Sequence, residues 1–207
     1  MPRYFIEVSY KGTNYAGFQI QQNANTIQAE VEKALYIYYR SVFNLTGSSR
    51  TDAGVHAKQN FFHFDTTIIN NTDSLIKSVY HLNAILPDDI VIKSIFPVTD
   101  TAHCRFDAEF RSYSYTIFPL KDPFLRERGY YYPYALNINR LGEAAGLLFN
   151  YQDFGSFAKK NHQAHTNHCT IITSEWIRKE GSLIYNVTAN RFLRGMVRGL
   201  VGTMLRV

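Results

Sequence analysis

Arg3-Tyr-Phe-Ile-Glu-Val-Ser-Tyr10 is a run of aromatic and β-branched residues, the composition of a strand, and the fold reads outward from it. Gly12, Asn14 and Gly17 follow in a polar loop. Residues 27–39 then predict a helix: Val31, Ala34, Leu35 and Tyr38 share one face, and Asn25 with Gln28 forms a capping box at its start. Residues 59–65 predict a second strand, with Phe62 and Phe64 on one face and Phe61 and His63 on the other. A second helix over 73–86 carries Leu75, Ile76, Val79, Leu82 and Leu86, and Pro87 ends it. Residues 90–96 form a short strand.

The plan recurs in the second half. Residues 111–118 are an aromatic strand and 119–133 a turn-rich loop with several charges. A helix over 140–149 places Leu141, Ala145 and Leu148 on one side. Residues 170–178 and 183–189 read as a hairpin turned at Glu180 and Gly181, and 192–206 as a final helix. This recurrence predicts an α+β fold. Two similar α/β-sandwich halves, residues 1–100 and 101–207, share a central antiparallel sheet with helices packed on one face.

Composition bounds the function. The 207 residues are 45% hydrophobic and 19% charged, which is a globular balance. No run of about 18 apolar residues is present, as a transmembrane helix needs. Met1-Pro-Arg-Tyr-Phe-Ile-Glu7 carries charge within its apolar stretch, unlike a secretory signal. The two cysteines, Cys104 and Cys169, are too few for a disulfide framework and fit a reducing, cytoplasmic setting. A formal net charge of +5 favours a polyanionic partner.

Three clusters carry chemistry. Gly47-Ser-Ser-Arg-Thr-Asp-Ala-Gly-Val-His-Ala57 lacks the periodicity of a helix or a core strand. A carboxylate at Asp52, beside the cation of Arg50, is available as a nucleophile or base; the same pattern also describes a surface turn with a local ion pair. Arg191, Arg194 and Arg198 fall on one face of the predicted last helix, either gripping phosphates or facing water. Gly195, Gly199 and Gly202 each lower helix propensity by roughly 1 kcal/mol relative to alanine and so predict close backbone packing. In 111–118, Arg111, Tyr113 and Tyr115 point to one face, which reads as a stacking platform for an unpaired base or as core. Asp107 and Glu109 read as strand polar positions or partners of Arg105 and Arg111.

Seven segments, in order and at compatible separations, carry a resemblance across nearly the whole chain. They are Tyr10-Lys-Gly-Thr-Asn-Tyr-Ala-Gly-Phe-Gln19, Ile27-Gln-Ala-Glu-Val-Glu-Lys-Ala-Leu35 and Arg50-Thr-Asp-Ala-Gly-Val-His-Ala57. His103-Cys-Arg-Phe-Asp-Ala108, Arg111-Ser-Tyr-Ser-Tyr115, Phe154-Gly-Ser-Phe157 and Phe192-Leu-Arg-Gly-Met-Val-Arg-Gly-Leu-Val-Gly202 complete the set. The chain resembles the TruA family of tRNA pseudouridine synthases.

The resemblance implies isomerisation of uridine to pseudouridine in the tRNA anticodon stem–loop, just 3′ of the anticodon, with neither metal nor organic cofactor. It maps the essential aspartate onto Asp52 and nearby arginines onto Arg50 and Arg198. The tyrosine that stacks on the target base maps onto Tyr113, with Arg105, Arg111 and His56 as further candidates for RNA contact or loop support. It also implies a homodimer. Ser49 stands where the family usually has glycine, Lys11 for an acidic residue, Phe18 for tryptophan and Cys104 for alanine. Related sequences usually continue beyond Val207, so the C-terminal half is expected to be truncated. A non-catalytic RNA-binding protein on the same scaffold is the alternative. His162, His165, His168 and Cys169 offer possible zinc ligands without a second ligand pair to support them, and read instead as a loop near RNA, to which Lys159 and Lys160 add charge.

Overall fold

The computed structural model describes residues 1–69, 73–159 and 166–206. The chain forms two compact units, Met1–Ala108 and Glu109–Val207. The division falls later than the sequence boundary at residue 100 because the intervening segment packs on the first unit. Arg3 Nη1 donates to Ala102 O at 2.8 Å, and the Cys104 thiol lies against His63 Nδ1 at 3.1 Å.

In the first unit, β1 (Arg3–Tyr10), β2 (Thr46–Gly47), β3 (Ala57–Asp65) and β4 (Ile90–Val98) form a sheet in the order β2-β3-β1-β4, every pairing antiparallel. Along β1, Tyr4, Ile6, Val8 and Tyr10 are buried and the alternate residues only half so, the two-residue period of a strand covered on one face. The helices α1 (Ile27–Tyr39) and α2 (Asp73–Ile85) cover that face. Ile27, Val31, Ala34 and Leu35 seal α1 against it.

The start of α1 corrects the expected capping box. Thr26, not Asn25, is the N-cap, and its hydroxyl accepts from Ala29 N–H. Gln28 instead donates to Leu45 O at 2.9 Å and Glu32 Oε1 at 2.8 Å, tying the helix to the strand that follows it. Gly47 in β2 answers a packing demand. A Cβ there would sit 2.5 Å from the Phe18 ring, which stacks flat on Phe62 at 4.5 Å.

In the second unit, β5 (Arg111–Phe118), β6 (Tyr130–Tyr131), β7 (Ile171–Lys179) and β8 (Ser182–Ala189) lie in the order β6-β5-β8-β7. The β5–β6 pairing is parallel and the rest antiparallel. Glu180 and Gly181 turn the hairpin with φ of 49° and 77°, the two left-handed residues of a type I′ turn. The helix α3 (Ile138–Leu147) is capped by the Asn137 side chain. With α4 (Met196–Met204), it closes a core around Trp176, Tyr185, Met196 and Leu200.

The last helix is shorter than its sequence predicts. Gly195 is left-handed, with φ of 78°, so α4 starts at Met196, and Arg191 and Arg194 precede it rather than sharing a helical face with Arg198. Arg194 O accepts from Lys159 N at 2.7 Å. Of the three glycines, Gly199 makes the expected close approach: a Cβ there would lie 3.3 Å from Phe157 O, whereas one at Gly202 would meet open space. Among the described residues, no helix is long and apolar enough to cross a membrane.

Candidate active site

The Asp52 loop is built against the turn that follows β1. Phe18 N–H donates to Thr51 O at 3.1 Å and Gly54 N–H to Tyr15 O at 3.3 Å, and Gly17 and Asp52 form an isolated antiparallel bridge. Gly54, with φ of 77°, turns the chain after Asp52, and Val55 N–H closes the turn onto Asp52 O at 3.2 Å. Gly12 N–H donates to His56 Nδ1 at 2.9 Å, which places the hydrogen of a neutral imidazole on Nε2. The backbone comes so close here that a Cβ on Gly12 would lie 2.1 Å from Val55 O. Two segments more than thirty residues apart thus fold as one piece, with Asp52 half-buried and Arg50 exposed.

The turn is anchored in its own right. Asp89 accepts from Tyr15 Oη at 2.5 Å and from Asn14 Nδ2 at 3.3 Å, while its backbone oxygen accepts from Lys11 N–H at 2.8 Å. Burial, and then the hydrogen bond to Asp89, push the Tyr15 phenol well above its ordinary value, so it remains a donor. Beneath the loop, buried Asn60 on β3 receives the hydroxyls of Ser48 and Ser49 at 2.7 and 3.0 Å.

Arg105 and Phe106 sit at the end of the first unit. The guanidinium lies 5.9 Å from the ring centroid, and Phe106 is 76% exposed, an arrangement suited to stacking on a base. Asp107 is not in a strand; its carboxylate accepts from His103 N–H at 2.7 Å and closes a turn, and β5 begins only at Arg111. His63 and Cys104 are buried nearby. Burial, reinforced by His103, holds the His63 imidazole below its ordinary pKa.

In the second unit, the face bearing Arg111, Tyr113 and Tyr115 is not the open one. Their cross-strand partners are Ala189, Val187 and Tyr185, all fully buried under the helices. The open face carries Ser112 and Ser114, bonded to Thr188 and Asn186. Tyr113 is half-buried and meets Phe192 edge-on at 5.0 Å, and Arg111 Nη1 donates to Asn190 O at 3.0 Å. Any base stacked on Tyr113 therefore approaches at the margin of the covered face.

Arg198 faces a cavity of about 320 Å³ lined also by Tyr115, Tyr130, Tyr132 and Arg206. Three phenol rings and two guanidiniums form a lining able to stack a ring and neutralise phosphate. Burial raises the Tyr115 phenol above its ordinary pKa, against the pull of Arg198. Tyr130 and Tyr132 escape a sequence reading because they lie in the turn-rich stretch, where the short β6 orders Tyr130 and the Phe118 carbonyl, accepting from Tyr132 N–H at 3.0 Å, orders Tyr132. His162 and His165 lie outside the described residues. Among the described residues, no group of three or more His, Cys, Asp or Glu side chains could hold a metal. Cys169 is buried, and burial pushes its thiol up, away from ligand chemistry.

A family model described as tRNA pseudouridine synthase matches residues 6–107 and 144–207. The tRNA pseudouridine synthase A of Azobacteroides pseudotrichonymphae is 44% identical over 207 residues, covering all of this chain and 82% of that protein. Its namesake in Parabacteroides distasonis is 42% identical, with 100% and 81% covered, and that of an Exiguobacterium species 37% identical, with 100% and 83% covered.

Proposed function

We propose, on the premise that this chain belongs to the tRNA pseudouridine synthase family and isomerises uridine to pseudouridine in tRNA, that Asp52 is the carboxylate on which the reaction depends. The observation that carries this reading is the bracing of the Asp52 loop. Its backbone is bridged to Gly17 and bonded to Tyr15 and Phe18, so a half-buried carboxylate is held in place before substrate arrives.

The reaction breaks the C1′–N1 bond, turns the uracil over and joins C1′ to C5. The C5 hydrogen leaves as a proton and N1 gains one, so the product is an isomer of the substrate. An ionised Asp52 serves either as the nucleophile that holds the sugar or base during rotation, or as the base that removes a proton at C2′. Arg50, two residues away along the chain, orients the carboxylate, and Arg198 is assigned a part in the same reaction on the family resemblance of its segment.

The target uridine must leave its stack, at a cost of typically a few kcal/mol. Tyr113, its ring fixed edge-on by Phe192, offsets part of that cost by supporting the flipped base. Arg105 and Arg111 contact the RNA, and His56 supports the loop through Gly12. The substrate uridines lie in the anticodon stem–loop just 3′ of the anticodon, the working form is a homodimer, and the enzyme acts in the cytoplasm. Two buried cysteines, Cys104 and Cys169, and a net charge of +5 support a reducing compartment and a polyanionic partner.

The test is tritium release from tRNA labelled at uridine C5. Wild-type protein releases tritium; Asp52→Asn binds the same tRNA and releases none. Release by Asp52→Asn at the wild-type rate would sink the assignment.

A further inference from the structure

Asn60 lies on β3 in step with the buried Phe62 and Phe64, and it is only 4% exposed. An amide in such a place is costly unless its hydrogen bonds are made. Here they are, and all lead to the Asp52 loop or to the strand beneath it. Oδ1 accepts from Ser48 Oγ, Ser49 Oγ and the Phe61 N–H, at 2.7, 3.0 and 3.0 Å. Three donors on one atom fix the amide orientation and turn Nδ2 toward Tyr10 Oη, to which it donates at 3.1 Å. The Tyr10 hydroxyl in turn shares a hydrogen bond with Thr51 Oγ1, 2.9 Å away, in which either oxygen can donate.

We infer that Asn60 is a positioning residue, which fixes the backbone on both sides of Arg50 and sets where Asp52 stands, directly through Ser48 and Ser49 and through Tyr10 to Thr51. The inference rests on the reading of Asp52 as the essential carboxylate. The amide leaves the Tyr10 hydrogen free for Thr51. A carboxylate at position 60 would still accept from both serines and from Phe61, but it has no hydrogen to give Tyr10; the Tyr10 hydroxyl would donate to it and could then only accept from Thr51. The backbone contacts of the loop to Tyr15 and Phe18 do not pass through Asn60, so its loss loosens the loop without unseating it.

The test compares Asn60→Asp, Tyr10→Phe and the double variant with wild type and with Asp52→Asn. Tritium release gives kcat and KM, filter binding gives tRNA affinity, and thermal melting checks folding. Both single variants lose about tenfold or more in kcat, while KM and tRNA affinity stay within about twofold, the signature of a misplaced group rather than a lost contact. The double variant is no slower than the worse single one, because both break the same chain. Protonating the introduced carboxyl restores a donor to Tyr10, so the Asn60→Asp rate rises relative to wild type as pH falls, and it does so at temperatures where melting shows the variant fully folded at every pH, which separates it from relief of a damaged fold. Folded Asn60→Asp and Tyr10→Phe proteins with kcat within about twofold of wild type overturn the inference, and Tyr10→Phe alone decides it should Asn60→Asp not fold. An active Asp52→Asn overturns the reading of Asp52 instead; an inactive one beside unimpaired Asn60→Asp and Tyr10→Phe leaves that reading standing and removes only this inference.

Discussion

Substituting Gly12 by alanine tests whether the turn after β1 shapes the Asp52 loop. The added Cβ would sit 2.1 Å from Val55 O, 2.8 Å from Val55 C and 3.2 Å from Val55 N. All three are backbone atoms, so no side chain can swing aside. Normal non-bonded contact lies about 3.5 Å out, so relieving the 2.1 Å approach parts the two segments by roughly 1.4 Å. Neither yields freely: Lys11 and Tyr15 are bonded to Asp89 on one side, and Val55 closes the Asp52 turn on the other. Parting them stretches the 2.9 Å bond from Gly12 N–H to His56 beyond hydrogen-bonding range. Overpacking at about 1–3 kcal/mol and one lost hydrogen bond at about 1 kcal/mol together give roughly 2–4 kcal/mol. For a chain of this size, that lowers Tm by about 5–15 °C. Val55 lies three residues after Asp52, and a misplacement of about 1 Å costs up to roughly a hundredfold in rate. Tritium release at saturating tRNA measures kcat, and calorimetry measures Tm. A Gly12→Ala protein with Tm within about 2 °C and kcat within about twofold of wild type would refute the reasoning.

Gly142 and Gly146 are exposed within α3, and a Cβ at either meets nothing, so Gly142→Ala and Gly146→Ala should each stabilise the protein by about 0.5–1 kcal/mol in urea unfolding; a loss from both would show that the helix needs them. The buried His63 imidazole titrates below its ordinary value of 6.5, so the unfolded chain binds its proton first as pH falls. Its contribution to stability is therefore intact above about pH 6.5 and declines as pH drops through the folded-state value. Urea unfolding between pH 7 and pH 5 should show that decline in wild type and a shallower one in His63→Asn; equal slopes would place the proton elsewhere.

Where local pattern suffices, the sequence was legible. The two-residue period of 3–10 and the aromatic run of 111–118 give β1 and β5 with their observed limits, and the apolar face of 27–39 gives α1. β2 and β6 have two residues each and exist only through their neighbours, so no periodicity announces them. The onset of α4 depends on the backbone conformation at Gly195, and the cap of α1 passes to Thr26 while Gln28 reaches across to Leu45. In the candidate site, the Arg50–Asp52 motif marks the carboxylate loop. Its supports at Asp89 and Asn60 are ordinary polar residues whose partners lie far along the chain, and only tertiary structure gathers them. The face of Tyr113 stays undecided in the sequence for a related reason: alternation reveals which residues share a side, not which side the helices cover.

The contact between Gly47 and the Phe18 ring ties the histories of two positions together. A side chain at 47 and a large ring at 18 compete for the same volume, so neither site can drift alone. A lineage acquiring a Cβ at 47 must first shrink residue 18, and that step opens a void over Phe62. The route between the two solutions passes through a less stable ancestor, and this bars the pair from changing by neutral single steps.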